Sequence, residues 1–363
     1  MYLEFYKLHE HPFQLTPGSD FLYMSESHAR AKAYMDYTIW NRDGFVVVTG
    51  EIGAGKTTLL QKLLSEFDDT AAVAKIYQTQ LDEIQFLQAV LVEFGLSPFN
   101  ASKVELMDML STFLIDSFLQ SKQLVLIVDE AQNLSPKVLE EIRMLSGLET
   151  QKEKILHVIL VGQPELNDIL DSPEMEQLLQ RVRLRCHISA LSDRETRDYV
   201  YHRLRVAGAG DRLLFDPDAL PMVYEYTGGI PRLINVLCDM ALTCAFTDRS
   251  PTVTVASLKT AIGELRWKPY SERVKARVRL QKASGKNREL RHLIEENSKR
   301  LSELTERLGR INEITPLLSD IASGISAIER ALGRVAVSQD QDPAMKQKAA
   351  GPGSQKKGSQ KPF

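Results

Sequence analysis

At 363 residues, and about 150 residues per domain, the chain has room for two or three domains and a full hydrophobic core, which excludes a small stapled scaffold. Its three cysteines, Cys186, Cys238 and Cys244, include no Cys-x-x-Cys pair, so a disulfide framework and a cysteine zinc site are excluded and a reducing compartment is predicted. The net charge of −3 conceals an asymmetry: residues 1–265 hold 24 Lys+Arg and 37 Asp+Glu, net −13, while residues 266–363 hold 21 and 11, net +10. An acidic body does not coat an anionic polymer or bilayer by bulk attraction, so any such contact is assigned to the basic end. No apolar stretch nears the roughly 18 residues of a membrane-spanning helix. Met1 is followed by no basic-then-apolar leader, so the sequence predicts a chain that is not exported.

In chain order, an aromatic-rich lead-in over Tyr2 to Tyr23 precedes a series of short apolar runs: Phe45 to Thr49, Ala71 to Ile76, Leu124 to Val128, Ile155 to Val161 and Val182 to Ile188. Helical patterns separate them, the rhythm of parallel βαβ units, and the nearly continuous hydrophobicity fits strands covered on both faces. Residues 1–190 are read as this α/β domain. From 191 to 265 the text becomes helical. Ser192 with Glu195 forms a capping box opening a helix to about Val206, Asp216-Pro217 opens a second ended by Gly228-Gly229, Pro231 a third, and Thr254 a fourth, a small all-α domain.

Residues 266–289 read as a basic linker; over 266–291 ten Lys+Arg face only Glu272 and Glu289. Over 290–333 seam positions step by fours and threes from Leu290, Ile294, Asn297 and Leu301 to Ile325, Ile328 and Leu332, which predicts a coiled coil with a register slip before Pro316. A lone amphipathic helix folding back on the body is the alternative. Residues 334–363 read as a disordered end.

Gly50-Glu51-Ile52-Gly53-Ala54-Gly55-Lys56-Thr57 matches the phosphate-loop pattern in full, directly after an apolar strand and before an amphipathic helix. Glycines let backbone N–H groups curl around a phosphate chain, and the helix N-terminus adds partial positive charge. The pattern assigns ATP to residues 50–58, Thr58 included, with Lys56 on the β/γ oxygens and Thr57 on Mg²⁺. Leu124 to Glu130 supplies the partner strand, with Asp129 to orient the magnesium and Glu130 to polarise the attacking water. The quartet Asp129-Glu130-Ala131-Gln132 also matches a helicase motif, but such enzymes need a second motor domain for which this chain has no counterpart.

Position alone gives other residues roles. Gln163, at the end of the fourth strand, is placed to reach the γ-phosphate or the water, or is a plain loop amide. Arg181, Arg183 and Arg185 alternate at the start of the fifth strand and so project to one side, as a finger for a neighbouring subunit's nucleotide or as exposed basic residues. Arg232, opening a helix of the small domain, is placed to report phosphate occupancy across a cleft.

Taken together, Phe5-Tyr6, His11-Pro12-Phe13, Phe21-Leu22-Tyr23, the Gly50 to Thr58 loop, Val128 to Gln132, Glu140 to Ser146, Val161 to Leu166 and Gly228 to Asn235 resemble AAA+ ATPases of the general secretion pathway protein A (ExeA) type, related to transposition helper ATPases. The resemblance covers residues 1–265. It implies a five-stranded sheet in the order 5-1-4-3-2 with a helical lid, sensor roles for Gln163 and Arg232, a finger near Arg181, adenine contacts around Pro12 and Phe13, and self-association. The family's secretion proteins continue into a membrane span and a peptidoglycan-binding domain, where this chain has a basic segment and coil. An assembly motor or regulator for an envelope, secretion, pilus or polysaccharide-export system is therefore expected, cytoplasmic or peripheral at the inner membrane, with the coil docking a protein partner. The alternative is a DNA-associated ATPase using the basic segment 266–291, which would equally serve an anionic membrane.

Overall fold

Apolar runs become strands here because helices cover both of their faces. The computed structural model describes residues 2–279 apart from 16–17, 42–43, 69, 78 and 150–152, together with 300, 323–327 and 330. Its strands are β1 (Phe45–Gly50), β2 (Ala71–Ile76), β3 (Gln123–Val128), β4 (Leu156–Gly162) and β5 (Leu184–Ile188). Every pairing is parallel and the order is β2-β3-β4-β1-β5, the expected order read from the other edge. α1 (Tyr2–Tyr6) opens the chain, and around the strands run α2 (Glu26–Trp40), α3 (Lys56–Leu64), α4 (Glu83–Glu93), α5 (Lys103–Leu119), α6 (Pro136–Leu145), α7 (Glu165–Leu170) and α8 (Glu176–Leu179). The helical layer follows as α9 (Asp193–Leu204), α10 (Leu220–Thr227), α11 (Pro231–Thr247) and α12 (Val255–Glu264).

Successive strand residues face opposite sides of a sheet, and here the alternation divides them between two cores. Val47, Leu124, Leu126, Val158 and Leu160 pack with α4, α5 and α6 through Phe86, Leu110 and Ile142. Val46, Val48, Val125, Ile127 and Ile159 pack with α2 and α3 through Met35, Ile39, Leu59 and Leu63. Each such buried side chain contributes roughly 1.5–3 kcal/mol. Exposed ion pairs such as Lys62 with Glu66 contribute about 0–1 kcal/mol, so the apolar layers hold the sheet.

The helical layer has its own core, built from Tyr199, Leu204, Val223, Leu237 and Leu258, and it includes Tyr2, Tyr6, Leu8, Phe13 and Phe21 from the start of the chain. Polar ties reinforce this: Tyr2 Oη donates to Asp239 Oδ1 at 2.6 Å, and Arg212 donates to the carbonyls of Tyr6 and Lys7. The opening segment, read from sequence with the α/β domain, thus packs with the lid.

Met1–Arg277 forms one compact unit and Val278–Phe363 a second. Within the basic segment residues 270–277 are helical; in the second unit residues 323–327 are helical. Apart from the few positions named, the expected coiled coil over 290–333 and the expected disordered end over 334–363 lie outside the described residues. Among the described residues no helix is long and apolar enough to cross a membrane.

Candidate nucleotide site

β1 ends at Gly50, and the loop turns through Gly53 (φ 82°) and Gly55 (φ 99°) before α3 begins at Lys56. Left-handed φ disfavours side chains, and Gly53 has a second constraint. A Cβ there would lie 2.5 Å from Arg232 Cβ, because the lid comes down onto the loop and Arg232 N donates to Gly53 O at 3.2 Å. The loop therefore presents the first turn of α3, with its free N–H groups and positive dipole end, to the solvent side. Glu51 and Ile52 are exposed at its tip, Ala54 is buried beneath it and Thr58 is half-buried behind it. Lys56 is buried and its Nζ donates to the carbonyls of Gly50 (2.7 Å) and Glu51 (3.1 Å). Burial lowers its pKa, against the opposing pull of Glu130, Asp129, Glu51 and Glu165.

β3 delivers two carboxylates opposite the loop. Asp129 is buried; its Oδ2 accepts from Thr57 Oγ1 at 2.9 Å and its Oδ1 from Glu130 N at 2.9 Å. Glu130 sits at φ 54°, a left-handed position that turns its side chain out of the strand direction. Its Oε2 accepts from Gln132 Nε2 at 2.7 Å and from Gln163 Nε2 at 3.1 Å. Burial pushes this carboxyl up, but the two amide donors and the Lys56 charge outweigh it and hold it below the usual range. Gln132 also accepts from Gln163 N at 2.9 Å, so one side chain ties the ends of β3 and β4 together. Gln163 thus contacts Glu130 directly.

A cavity of about 370 Å³ extends from the loop to the lid. Its apolar wall is made by Leu15, Phe21, Leu22, Tyr23 and Leu191. Pro12 and Phe13 stand behind that wall: Phe13 packs edge-on against Phe215 at 6.0 Å, and Pro12 O accepts from Arg203 Nε at 2.6 Å. Arg203 is itself buried, donates a second bond to Gln14 O at 2.9 Å and stacks on Phe21 at 4.6 Å. Asn235, whose Oδ1 accepts from Tyr199 Oη at 2.8 Å, donates from Nδ2 to Gln14 O at 3.4 Å, so the lid grips the backbone that carries the wall.

Arg232 is exposed and lines the same cavity. The expected alternation of three arginines along the fifth strand is corrected: β5 begins at Leu184, so only Arg185 lies in the strand, and it pairs with Asp171 at 2.8 Å. Arg181 precedes it and donates to Arg143 O (2.7 Å) and Ser146 Oγ (3.1 Å) at the end of α6. Arg183 is exposed between them. Sequence reasoning assigned no role to Gln132, Arg203, His28 or the wall residues Leu15, Phe21, Leu22 and Tyr23. Gln132, inside the acidic quartet, and Phe21-Leu22-Tyr23, in the aromatic lead-in, stood out in the sequence without a role.

A parallel 5-1-4-3-2 sheet with a complete phosphate loop, an acidic pair at the end of β3 and a helical lid defines the AAA+ P-loop fold. Residues 40–170 match the AAA domain family. Over 267 residues the chain is 40 % identical to General secretion pathway protein A of Aeromonas hydrophila, covering 73 % of this chain and 48 % of that protein. The chain thus spans about half the length of that curated relative. Among solved structures it is similar to the ORC2 protein of Aeropyrum pernix in ADPNP and ADP complexes, with TM-score 0.54, 17 % identity, 70 % of this chain and 71 % of that one. It is also similar to Cdc6p of Pyrobaculum aerophilum, with TM-score 0.53, 18 % identity and coverage of 69 % and 71 %. At such identities these likenesses carry the fold alone.

Proposed function

We propose that the chain binds ATP and Mg²⁺ between the phosphate loop and the lid and hydrolyses the ATP. We infer that this turnover drives or regulates assembly of an envelope, secretion, pilus or polysaccharide-export system. The observation that carries the chemistry is the seating of Thr57 Oγ1 on Asp129 Oδ2 at 2.9 Å, beneath the loop, with Glu130 next in the chain. Two hard oxygen donors suit Mg²⁺, and a left-handed glycine loop opening a helix suits a triphosphate, so the residues present fit both groups. The similarity to General secretion pathway protein A supports the choice of apparatus.

In this reading the amides of residues 53–58 and Lys56 hold the phosphates, and Thr57 and Asp129 hold the cation. Mg²⁺, when bound, neutralises charge on the phosphoryl oxygens. Glu130, ionised and fixed by Gln132 and Gln163, accepts a proton from the attacking water. Arg232 reaches the phosphates from the lid, and an arginine from the 181–185 stretch of a second copy completes the site in a self-associated form. The coil and the basic end then engage the apparatus.

The test is Glu130→Gln, which keeps the side chain's size and removes its basicity. ATP binding should persist while turnover falls by a factor of about 10² to 10⁴. Wild-type turnover in that variant would remove Glu130 from the role of base.

A further inference from the structure

His28, in the first turn of α2, lies outside every nucleotide motif of the sequence, yet it is 2 % exposed and lines the cavity beside the phosphate loop. Its Nε2 is 2.9 Å from Ala54 O and its Nδ1 is 2.6 Å from Ser25 Oγ. A carbonyl only accepts, so Nε2 carries the proton and Nδ1 accepts from the Ser25 hydroxyl. Ser25 Oγ in turn accepts from His28 N as the N-cap of α2. Both ring nitrogens are therefore engaged. Burial lowers the pKa of this imidazole, against the opposing Ala54 hydrogen bond and Glu195 charge, and so favours the neutral form that the pattern requires.

The peptide between Ala54 and Gly55 is one rigid plane with its carbonyl and N–H on opposite sides. Fixing Ala54 O on the imidazole fixes the Gly55 N–H on the other side. At Gly55 a Cβ would meet His28 Nε2 at 2.9 Å, so the ring's close approach requires glycine there, as the φ of 99° also does. We propose that His28 is a positioning residue for nucleotide binding, holding the Ala54–Gly55 peptide so that the Gly55 N–H is presented to the phosphates. This rests on the nucleotide reading given above. It adds to the phosphate loop a support from a helix some thirty residues upstream.

The experiment measures equilibrium binding of ATP with Mg²⁺ to the full chain by calorimetry, for the wild type, His28→Gln and His28→Asn. A glutamine amide nitrogen stands where Nε2 stands; an asparagine amide stops short of Ala54. Leaving a buried acceptor unpaired weakens association by about tenfold, so His28→Asn should raise Kd by about that factor while His28→Gln stays within about threefold of wild type. A purely packing role would move both variants alike, and equal Kd values in the two variants would overturn the proposal. If His28→Asn does not fold, a folded His28→Gln protein that binds tenfold more weakly than wild type also overturns it. A wild-type protein that takes up no ATP would instead overturn the nucleotide reading itself.

Discussion

Glu130 shows how little of a carboxyl group's ionisation resides in its own identity. The carboxylate touches two neutral amides, Gln132 and Gln163, and both donate to the same oxygen. Hydrogen bonds to the charged form stabilise it and lower the pKa, which here outweighs the upward push of burial. Removing one donor must therefore raise the pKa. In Gln163→Ala, or in Gln132→Ala, the acid limb of the kcat profile should move to higher pH relative to wild type, because a weaker hold on the carboxylate requires more alkaline solution to ionise it. An acid limb that stays in place would detach these amides from the base. The phosphate-loop pattern stood out because Gly50, Gly53, Gly55, Lys56 and Thr57 fall within one short stretch of sequence. The role of Gln132 was not legible there, because its work depends on β4 lying beside β3 and on the Cβ-free Gly162, where an added carbon would meet Gln132 Oε1 at 2.8 Å.

Among the elements, α2 links the loop to the lid. Glu195, third residue of α9, closes the capping box with Ser192, accepting from Ser192 N at 2.9 Å. Its other oxygen accepts from Glu26 N at 3.3 Å, an orphan donor in the first turn of α2. One carboxylate thus serves two helix N-termini from two layers. Burial raises its pKa, but these hydrogen bonds bring the net shift downward. A depressed carboxylate contributes stability above its unfolded-state value of 4.5 and loses it as the pH falls below that value. Glu195→Ala should lower stability at pH 7 by about 1 kcal/mol, or about 2–4 °C in melting temperature, with the gap closing in acid. A gap that persists unchanged at pH 3 would place the effect in packing instead.

The strands and this capping box were readable at the same scale, since a short continuous apolar run and Ser-x-x-Glu are local signals. The lead-in was not: Tyr2, Tyr6, Phe13 and Phe21 reach the lid core from one helical turn and loops, where burial leaves no period. Arg203, one of the bulkiest fully buried side chains, hides in a helix whose sequence reads as charged.

At the scale of the molecule, the cavity lies where a ligand can join two separately packed cores. The loop and Glu130 belong to the α/β layer; Arg203, Asn235 and Arg232 belong to the lid, and the opening segment supplies the wall between them. Among the described residues, the direct bonds across this junction include Arg232 N to Gly53 O at 3.2 Å and Glu26 N to Glu195 Oε1 at 3.3 Å, both of ordinary strength. A nucleotide that touches both sides adds its binding free energy to the folded state as a whole. At a free concentration of 100 Kd that is about 2.7 kcal/mol, which for a unit of this size moves the melting midpoint by about 5–10 °C. Calorimetric melting of the full chain with and without Mg-ATP should show the transition of this unit shifted upward without splitting, and Lys56→Ala should abolish the shift. If ATP raised one layer and left the other at its original midpoint, the nucleotide would be held by the loop alone and the lid would have no part in binding it.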